Sequence, residues 1–300
     1  AWLTPWWDAF KPGQLSVIAV SGHGRLLALL PYYLEIGLLG RRLLPIGIAI
    51  SDYQDILMEP RFADAVADAL GARLAAMGWE ICEMPELLIG ASAFRLTCPS
   101  GCCAETAAQS CAPVLHLPPN PVDVRHIVPK QKLRKWRMAQ HRAERRNGFS
   151  IRPIEAGEAQ NALDALVRLH RARWSSRGEA GVLADPRAVS FHRRALPQLF
   201  ASGLARLYAL SFEGEIAAVY YGLLHRRRAY AYLSGFDPRY QFESPGTLLI
   251  GHAILEAQRE GAAEFHFLRG DEAYKFEWGA VEHWTYRRVF TRVRAYARAS

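Results

Sequence analysis

The sequence predicts an α/β protein of the α+β type, built from two units that each hold a mixed, mostly antiparallel twisted sheet flanked by helices. Strand-like and helix-like segments alternate along the 300-residue chain, and a strand meander followed by a helix and another strand occurs in both halves. Half of the residues are hydrophobic and mean hydropathy is near zero, which allows sizeable cores and argues against disorder.

The C-terminal half has the clearer pattern, with the predicted order β-α-α-β-β-β-α-β-β. Period-two runs predict strands at "FSIRPI", "ARLYALSF", "EIAAVYYGLL", "RAYAYLSGF", "AEFHFLRG" and "HWTYRRVFTR". Helical spacing predicts helices at "AQNALDALVRLHRARW", "PRAVSFHRRALPQLFASG" and "TLLIGHAILEAQREG", with a short turn or helix at "EAYKFEWG". Short turns at Glu213-Gly214 and His225–Arg228 predict that the three middle strands form an antiparallel meander.

The N-terminal half repeats part of this order more faintly. Strands are predicted at "LSVIAV", "RLLALLPYYLEI", "AISDYQDILME" and "WEICEM", and a helix at "FADAVADALGARLAAMG". Residues 97–125, rich in Pro, Cys and Ser, are predicted to form an irregular connection. No residue-level repeat is visible, so duplication is a structural hypothesis. The predicted division is an N-terminal unit over 1–125, a linking helix over 126–148 and a C-terminal unit over 149–300.

The linking segment carries most of the net charge. Residues 130–146 contain eight Lys and Arg against one acid, a local charge of +7 within a net +8. On a helix the charged residues share one side, namely Lys130, Arg134, Arg137, His141 and Arg145. An apolar stripe of Leu133, Trp136 and Ala143 takes another side. Such a face suits a packed surface helix, RNA phosphates, an anionic membrane or a phosphorylated substrate, and no RNA-binding signature is present.

Several classes of protein are disfavoured by the sequence. The longest apolar stretch is broken by proline, glycine and charged residues, so no transmembrane helix is predicted. The first residues lack the basic and apolar regions of a signal peptide. Five cysteines without a C-x-x-C pair predict neither a disulfide framework nor a metal site, and a reducing cytoplasm is the expected location.

The stretch "GFDPRYQFESPGTLL" raises the question of ligand binding. It leaves a predicted strand and enters a helix, with Ser244 expected as N-cap, Pro245 at the first helical position and Gly246 leaving access to the backbone. A helix start leaves unpaired N–H groups that attract anions. The segment is therefore either an ordinary helix start or a phosphate site, and Gly235 before it would let two backbones approach closely.

With this order of elements, the C-terminal half resembles the GNAT acyltransferase fold. The run "YLSGFDPRYQFESPGTLLIGHAILEAQREGAAEFHFLRGDEAYKFEWG" is similar to CelD-type, BioF2-like acetyltransferase domains, which are related to the Fem peptidyltransferases. The resemblance covers residues 150–293. Through "TPWWDAF" and "SDYQDILM", the N-terminal half resembles a degenerate GNAT-like unit more loosely, which implies two GNAT-like units in tandem.

The resemblance implies acyl-CoA as the donor co-substrate, acetyl-CoA in particular, with no metal. The residues it places along the pantetheine arm are Leu233, Ser234, Gly235 and Phe236. Those it places around the pyrophosphate are Ser244, Gly246, Thr247 and Leu248. The usual Gln/Arg-x-x-Gly-x-Gly/Ala loop is replaced here by "ESPGT", whose single glycine supplies fewer free backbone donors. Fem relatives use aminoacyl-tRNA, so that donor remains open.

Candidate catalytic residues follow the next strand, in "RGDEAYK" (269–275). Acyl transfer to an amine needs a group that accepts a proton and a donor that stabilises the oxyanion. Asp271 and Glu272 are candidate bases, and Tyr274 and Lys275 are candidate proton or hydrogen-bond donors. The Fem resemblance favours Lys275 for activation of the acyl group. The alternative is a solvated turn with an Asp271–Lys275 pair of little energetic weight.

The acceptor is less well specified. Arg173 and Arg177 lie where GNAT proteins commonly set acceptor specificity, and Asp52 lies in the N-terminal match. The resemblance implies an N-acyltransferase acting on an amine, such as an amino sugar or an envelope or exopolysaccharide precursor, in a ternary complex. The alternatives are a Fem-like aminoacyl-tRNA-dependent transferase and a non-catalytic binding protein with this fold.

Overall fold

The computed structural model describes residues 1–22, 24–38, 40–118, 126–175 and 178–293. The chain forms two compact units. The first unit consists of Ala1–Ala9 and Cys111–His283, and the second of Phe10–Ser110 with the C-terminal segment that begins at Trp284. Each contains one mixed sheet flanked by helices, which confirms the predicted fold class.

The helices and strands alternate along the chain. The helices are α1 (Leu3–Phe10), α2 (Ala63–Ala76), α3 (Lys130–Glu144), α4 (Ala159–Ser175), α5 (Pro186–Ala201), α6 (Pro245–Arg259) and α7 (Ala273–Glu277). The strands are β1 (Gln14–Gly22), β2 (Arg25–Gly37), β3 (Gly40–Pro45), β4 (Leu57–Met58), β5 (Ile81–Leu87), β6 (Cys102–Cys111), β7 (Val114–His116), β8 (Ser150–Pro153), β9 (Ala205–Phe212), β10 (Glu215–His225), β11 (Arg228–Phe236), β12 (Glu264–His266) and β13 (Trp284–Arg292).

The boundaries of the units differ from the predicted division at 125 and 149. The last strand, β13, lies between β5 and β6 in the sheet of the second unit, because long-range pairing is not visible in local sequence. The basic helix α3 lies inside the first unit and packs on α6, so it is more than a link. The N-terminal "TPWWDAF" segment forms α1, and Trp2 packs edge-on against Phe191 of α5 at 4.8 Å.

The second unit has the sheet order β1-β2-β3-β5-β13-β6, with β4 paired to β2. The predicted strand over residues 49–59 is wrong except for Leu57–Met58. The Asp55 carboxylate accepts the amides of Ile56, Ser92 and Ala93 at 2.8–2.9 Å, which fixes this segment as a loop. The predicted irregular connection over 97–125 is also wrong in part, since it contains β6 and β7.

The first unit has the sheet order β7-β12-β11-β10-β9-β8. The meander β9-β10-β11 is antiparallel as predicted, and α6 returns the chain to β12, which runs parallel to β11. Helices α6 and α3 cover one face of the sheet over a core that includes Leu210, Ile254 and Phe265. This arrangement brings the start of α6 to the end of β11.

Helix α3 is amphipathic in the predicted way. Its buried stripe consists of Leu133, Trp136, Ala139 and Ala143. The residues predicted to share the charged side are exposed, namely Lys130, Arg134, Arg137, His141 and Arg145. Nowhere in the described ranges does a helix combine the length and apolarity required to cross a bilayer. Nor do the described His, Cys, Asp and Glu residues form a group of three able to hold a metal ion.

Candidate active site

Strand β11 has a partly open edge. It pairs with β10 over eight residue pairs but with β12 only over Arg228–Tyr230, because β12 ends at His266. On the side of Leu233–Phe236 that faces away from β10, no strand in the described part of the chain pairs with it. The register with β10 also shifts at Tyr232, which is a β-bulge next to this edge. The sheet therefore splays here, and an extended ligand can add to it as a strand would.

The pairing with β10 fixes which backbone groups face the open edge. The Asp237 amide donates to the Ala217 carbonyl at 2.8 Å, so hydrogen-bonded and non-hydrogen-bonded pairs alternate from that point. By this alternation Gly235 turns its backbone groups to β10. Ser234 and Phe236 turn theirs outward. Two of the four predicted pantetheine-lining residues thus present free backbone at the edge.

The start of α6 offers one amide rather than several. Ser244 occupies the N-cap position as predicted, but it adopts a left-handed conformation (φ 56°, ψ 53°) and its side chain makes no capping hydrogen bond. Its carbonyl instead accepts the amides of Thr247 at 2.9 Å and Leu248 at 3.2 Å. Pro245 has no N–H. Among described residues no acceptor reaches the amide of Gly246, which is left for a ligand.

Glycine occupies positions 246 and 235 for different structural reasons. A Cβ on Gly246 would meet the Phe236 ring at 3.7 Å, an ordinary contact, so a small side chain fits there. A Cβ on Gly235 would lie 2.7 Å from the backbone nitrogen of His170 and 3.1 Å from Leu169. Gly235 therefore permits the close approach of α4 to β11, and it is not among the residues that line the cavity described next.

The open edge and the start of α6 meet in one cavity of about 310 Å³. Its walls come from α3, α4, β11, the loop after it, α6 and α7. The lining residues are Lys132, Arg173, Ser234, Phe236, Gln241, Ser244, Pro245, Gly246, Thr247, Ile250, Tyr274 and Trp278. The volume lies in the range of small-molecule sites. Five of the eight residues predicted to bind the donor line this one cavity.

Two cations line the cavity. The Lys132 side chain is buried, its Nζ lies 3.0 Å from a Glu277 carboxylate oxygen, and it stands 4.8 Å from the ring centre of Trp278. The Arg173 guanidinium lies 5.0 Å from the ring centre of Phe236. Both contacts are within cation–π range, which holds the positive groups beside aromatic walls. The cavity is therefore suited to an anionic ligand with an apolar part.

Tyr274 lines the cavity from α7. Desolvation by the surrounding protein, reinforced by the nearby Glu272 charge and opposed by Arg173, raises the pKa of Tyr274 to about 12. The residue as a whole is 41 % exposed and lines the cavity. A phenol in this state keeps its proton at neutral pH and can donate it.

Lys275 has a different environment from the one predicted. Its ammonium is buried and donates to the carbonyls of Leu268 (3.0 Å), Arg269 (2.7 Å) and Gly270 (3.0 Å), and it pairs with Glu272 at 2.9 Å. Leu268 has a positive φ of 61°, an uncommon conformation for leucine, and Lys275 bonds its carbonyl. All three ammonium protons are engaged, and Lys275 does not line the cavity. These contacts tie Lys275 to the loop after β12.

The remaining predicted residues lie elsewhere. Asp271 is exposed on the same loop, and Leu233 and Leu248 lie outside the cavity, Leu248 with its side chain in the core. Asp52 belongs to the second unit and is not among the cavity residues. Arg177 lies outside the described residues. The sequence analysis did not identify Lys132 as a cavity residue, although it lies in the evident run of positive charge. The signal that could have found it is its position next to Leu133, at the edge of the buried stripe of α3.

Comparison with known proteins points to one family. The model of the acetyltransferase (GNAT) domain matches residues 130–276. A search of the curated proteins gives no significant match.

Among solved structures, FemX superposes with a TM-score of 0.66 at 10 % identity, covering 96 % of this chain and 91 % of FemX. A conserved protein of unknown function from Bacteroides thetaiotaomicron gives 0.64 at 13 % identity, covering 96 % and 88 %. The C-terminal domain of a putative lysylphosphatidylglycerol synthetase from Agrobacterium fabrum gives 0.59 at 13 %, covering 94 % and 85 %. At these identities the likeness concerns the fold.

Proposed function

Residues 130–276 belong to the GNAT acyltransferase superfamily, and from this premise we propose that the protein is an N-acyltransferase that moves an acyl group from a pantetheine thioester to an amine. Acetyl-CoA is the simplest donor. One observation carries the proposal: the outward backbone of Ser234 and Phe236, the free amide of Gly246 and two cations line the same cavity.

The cavity suggests how the donor is held. The amides and carbonyls of the pantetheine arm pair with the edge of β11, as an added strand does. The phosphate end reaches the Gly246 amide, where the α6 dipole and the Lys132 ammonium favour negative charge. Arg173 adds a second cation close to Tyr274. This mode of binding directs the thioester toward the point where β11 and β12 diverge.

The reaction needs no group beyond the donor and this chain. The neutral amine attacks the thioester carbonyl, a C–N bond forms, the C–S bond breaks and the thiolate leaves. Tyr274 is the proton donor to the leaving sulfur, because its hydroxyl stays protonated at neutral pH. Asp271, exposed on the loop after β12, is the base candidate that takes the amine proton. Lys275 and Glu272 keep this loop in place.

The acceptor is proposed only as a class. An amine on a polar carrier, such as an amino sugar or an envelope precursor, would approach the thioester from the side of the cavity that Arg173 lines. Binding of the acceptor at the cavity opening is the part of this proposal that the structure supports. The roles of Arg177 and Asp52 in acceptor binding stay predictions from the sequence.

A second candidate is aminoacyl-tRNA-dependent transfer. The exposed basic side of α3 favours a polyanionic donor, and FemX shares the fold. In that case binding of aminoacyl-tRNA would be tight and would fall steeply with salt, and ribonuclease would abolish turnover. The acyl-CoA reaction would be insensitive to ribonuclease.

Titration calorimetry with acetyl-CoA tests the proposal. We expect saturable binding by the wild-type chain and by Gly246→Ala, since a methyl group there only touches Phe236. Gly246→Trp should fill the phosphate end of the cavity and weaken binding by roughly tenfold or more. Absence of binding at millimolar acetyl-CoA, or equal binding by all three proteins, would contradict the assignment of this cavity and favour the non-catalytic alternative.

A further inference from the structure

The exposed side of α3 continues onto the loop beside the candidate phosphate site. Its charged residues are joined there by two exposed apolar side chains, Met138 (50 % exposed) and Phe242 (70 % exposed). Arg142 connects them, because it follows Met138 by one helical turn and its guanidinium lies 4.8 Å from the Phe242 ring centre. We call this surface the α3 patch, defined as Arg134, Arg137, Met138, His141, Arg145 and Phe242.

The α3 patch adjoins the cavity. Arg142 also donates to the Ser244 hydroxyl at 3.5 Å, and Ser244 lines the cavity. Arg146 pairs with the buried Glu243 at 2.8 Å, which fixes the loop that carries Phe242 to the end of α3. The mouth of the phosphate site and the patch are thus parts of one continuous surface. A ligand whose phosphate reaches Gly246 would have its remaining bulk over the patch.

The chemistry of the patch indicates an acidic protein. Within the patch itself there is no carboxylate, and the nearest acid along the helix, Glu144, lies against His141 at 3.4 Å. Exposed methionine, phenylalanine and arginine together are typical of the cores of protein interfaces. An RNA surface would be expected to add several polar and aromatic groups for base contacts, and Phe242 is the one aromatic residue of the patch.

The helix start supplies an independent argument. Coenzyme A presents a diphosphate and a further phosphate, whereas an acyl carrier protein presents its pantetheine through a single phosphodiester to a serine. The start of α6 has one free amide, because Thr247 and Leu248 donate to Ser244. A site with one free amide and the Lys132 ammonium is better suited to the single phosphodiester of a carrier protein than to the diphosphate of coenzyme A.

From these observations we propose that the physiological donor is an acidic acyl carrier protein that docks on the α3 patch and inserts its acylated phosphopantetheine arm into the cavity. This rests on the proposed function and specifies the source of the thioester. The acyl transfer itself is unchanged: the carrier's thiol leaves in place of that of coenzyme A. The patch supplies affinity for the carrier, and the cavity supplies the site of reaction.

Binding measurements with two donors test this proposal. The probes are an acetylated holo-acyl carrier protein and acetyl-CoA, each titrated into the full chain. We expect the carrier to bind roughly tenfold more tightly or better, with an affinity that falls as salt is raised. The double variant Arg134→Glu/Arg137→Glu should weaken carrier binding by roughly tenfold or more, and should leave acetyl-CoA binding within about twofold.

The matched control is Arg226→Glu/Arg259→Glu, with the same change in charge at the opposite ends of β11 and α6. It should leave carrier binding unchanged. Equal carrier binding by wild type and the α3 variant, or a carrier no tighter than acetyl-CoA, would overturn the proposal while leaving the acyltransferase assignment in place. Loss of tRNA binding in the α3 variant without loss of carrier binding would assign the patch to RNA instead. If neither donor bound at all, the proposed function itself would fail.

Discussion

Trp136 of α3 lies directly over Gly251 of α6, where any Cβ would collide with the indole ring. Gly251→Ala should therefore destabilise the fold by about 1–3 kcal/mol through overpacking, beyond the small gain from helix propensity. Chemical denaturation measures this. The matched control is Gly71→Ala in α2, where the nearest atom to a new Cβ is 3.7 Å away, and it should be neutral or slightly stabilising. An unaffected Gly251→Ala would contradict the close packing of α3 on α6.

Lys275→Met tests the structural role of that lysine. The substitution leaves three inward-facing carbonyls without their donor, so the free energy of unfolding should fall by about 3 kcal/mol. Lys130→Met, at an exposed position at the start of α3, should change it by less than about 0.5 kcal/mol. A Lys275→Met protein with unchanged stability but no turnover would instead support the catalytic role that the sequence predicts.

Tyr274→Phe tests the proposed acid. We expect kcat for thioester consumption to fall by roughly 100-fold, while the dissociation constant for the donor changes little. Because the pKa of Tyr274 is about 12, its proton is present throughout neutral and mildly alkaline pH, and no loss of kcat below about pH 10 should come from this group. The measurement is thiol release with any responsive amine across a pH series. A wild-type rate in Tyr274→Phe would remove this residue from the mechanism.

Lys132→Met should weaken donor binding by roughly tenfold, because the ammonium is the cation that α3 contributes to the cavity. Lys135→Met is the natural comparison, since both lysines pair with Glu277 and only Lys132 lines the cavity. Calorimetry should show normal binding for Lys135→Met. If the two variants lost the same donor affinity, the effect of Lys132 would come from its ion pair with Glu277 and not from its place in the cavity.

The buried His192 side chain leads us to expect that the folded protein loses stability in acid. It is fully buried between aromatic rings, with Phe191 at 4.6 Å and Tyr221 at 5.6 Å, and desolvation lowers its pKa to about 3. The folded protein keeps it neutral whereas the unfolded chain binds a proton near pH 6.5. Its contribution to stability is therefore complete above pH 6.5 and is lost as the pH falls toward 3. At pH 5 the loss is about 2 kcal/mol.

Replacing His192 with phenylalanine should remove this part of the dependence. The free energy of unfolding of His192→Phe, compared between pH 7 and pH 5, should fall by about 2 kcal/mol less than that of wild type. Replacing the exposed His225 with phenylalanine should leave the wild-type slope. An identical slope in His192→Phe would show that His192 is not kept neutral by burial.

Periodicity and turn residues in the sequence predicted several individual helices and strands correctly. The β9-β10-β11 meander, helix α6 and the amphipathic α3 follow from periodicity and turn residues, and all are present. Proline and glycine after Ser244 predicted the start of a helix, and the resemblance to the GNAT fold was needed to favour a phosphate site there. Five of the residues that the resemblance assigns to the donor site line one cavity.

Features that depend on distant contacts could not be predicted in this way. Nothing near Trp284 indicates that β13 pairs with β5, some 200 residues earlier. The Lys275 ammonium bonds the carbonyl of Leu268, whose positive φ of 61° is not indicated by a leucine in the sequence. Glycine is needed at position 235 because the backbone of α4 lies against it. The loop over 49–59 forms because Asp55 accepts hydrogen bonds from amides of a later segment.

The placement of β13 between β5 and β6 has a consequence for biosynthesis. Ribosomes deliver the chain from the N terminus, so nearly all of the second unit emerges first, yet β6 has no neighbour in its sheet until Trp284–Arg292 has left the exit tunnel. The first unit, made later, can complete its own sheet earlier. Until then the nascent second unit exposes unsatisfied strand edges, which is the state that chaperones bind and that aggregates most readily.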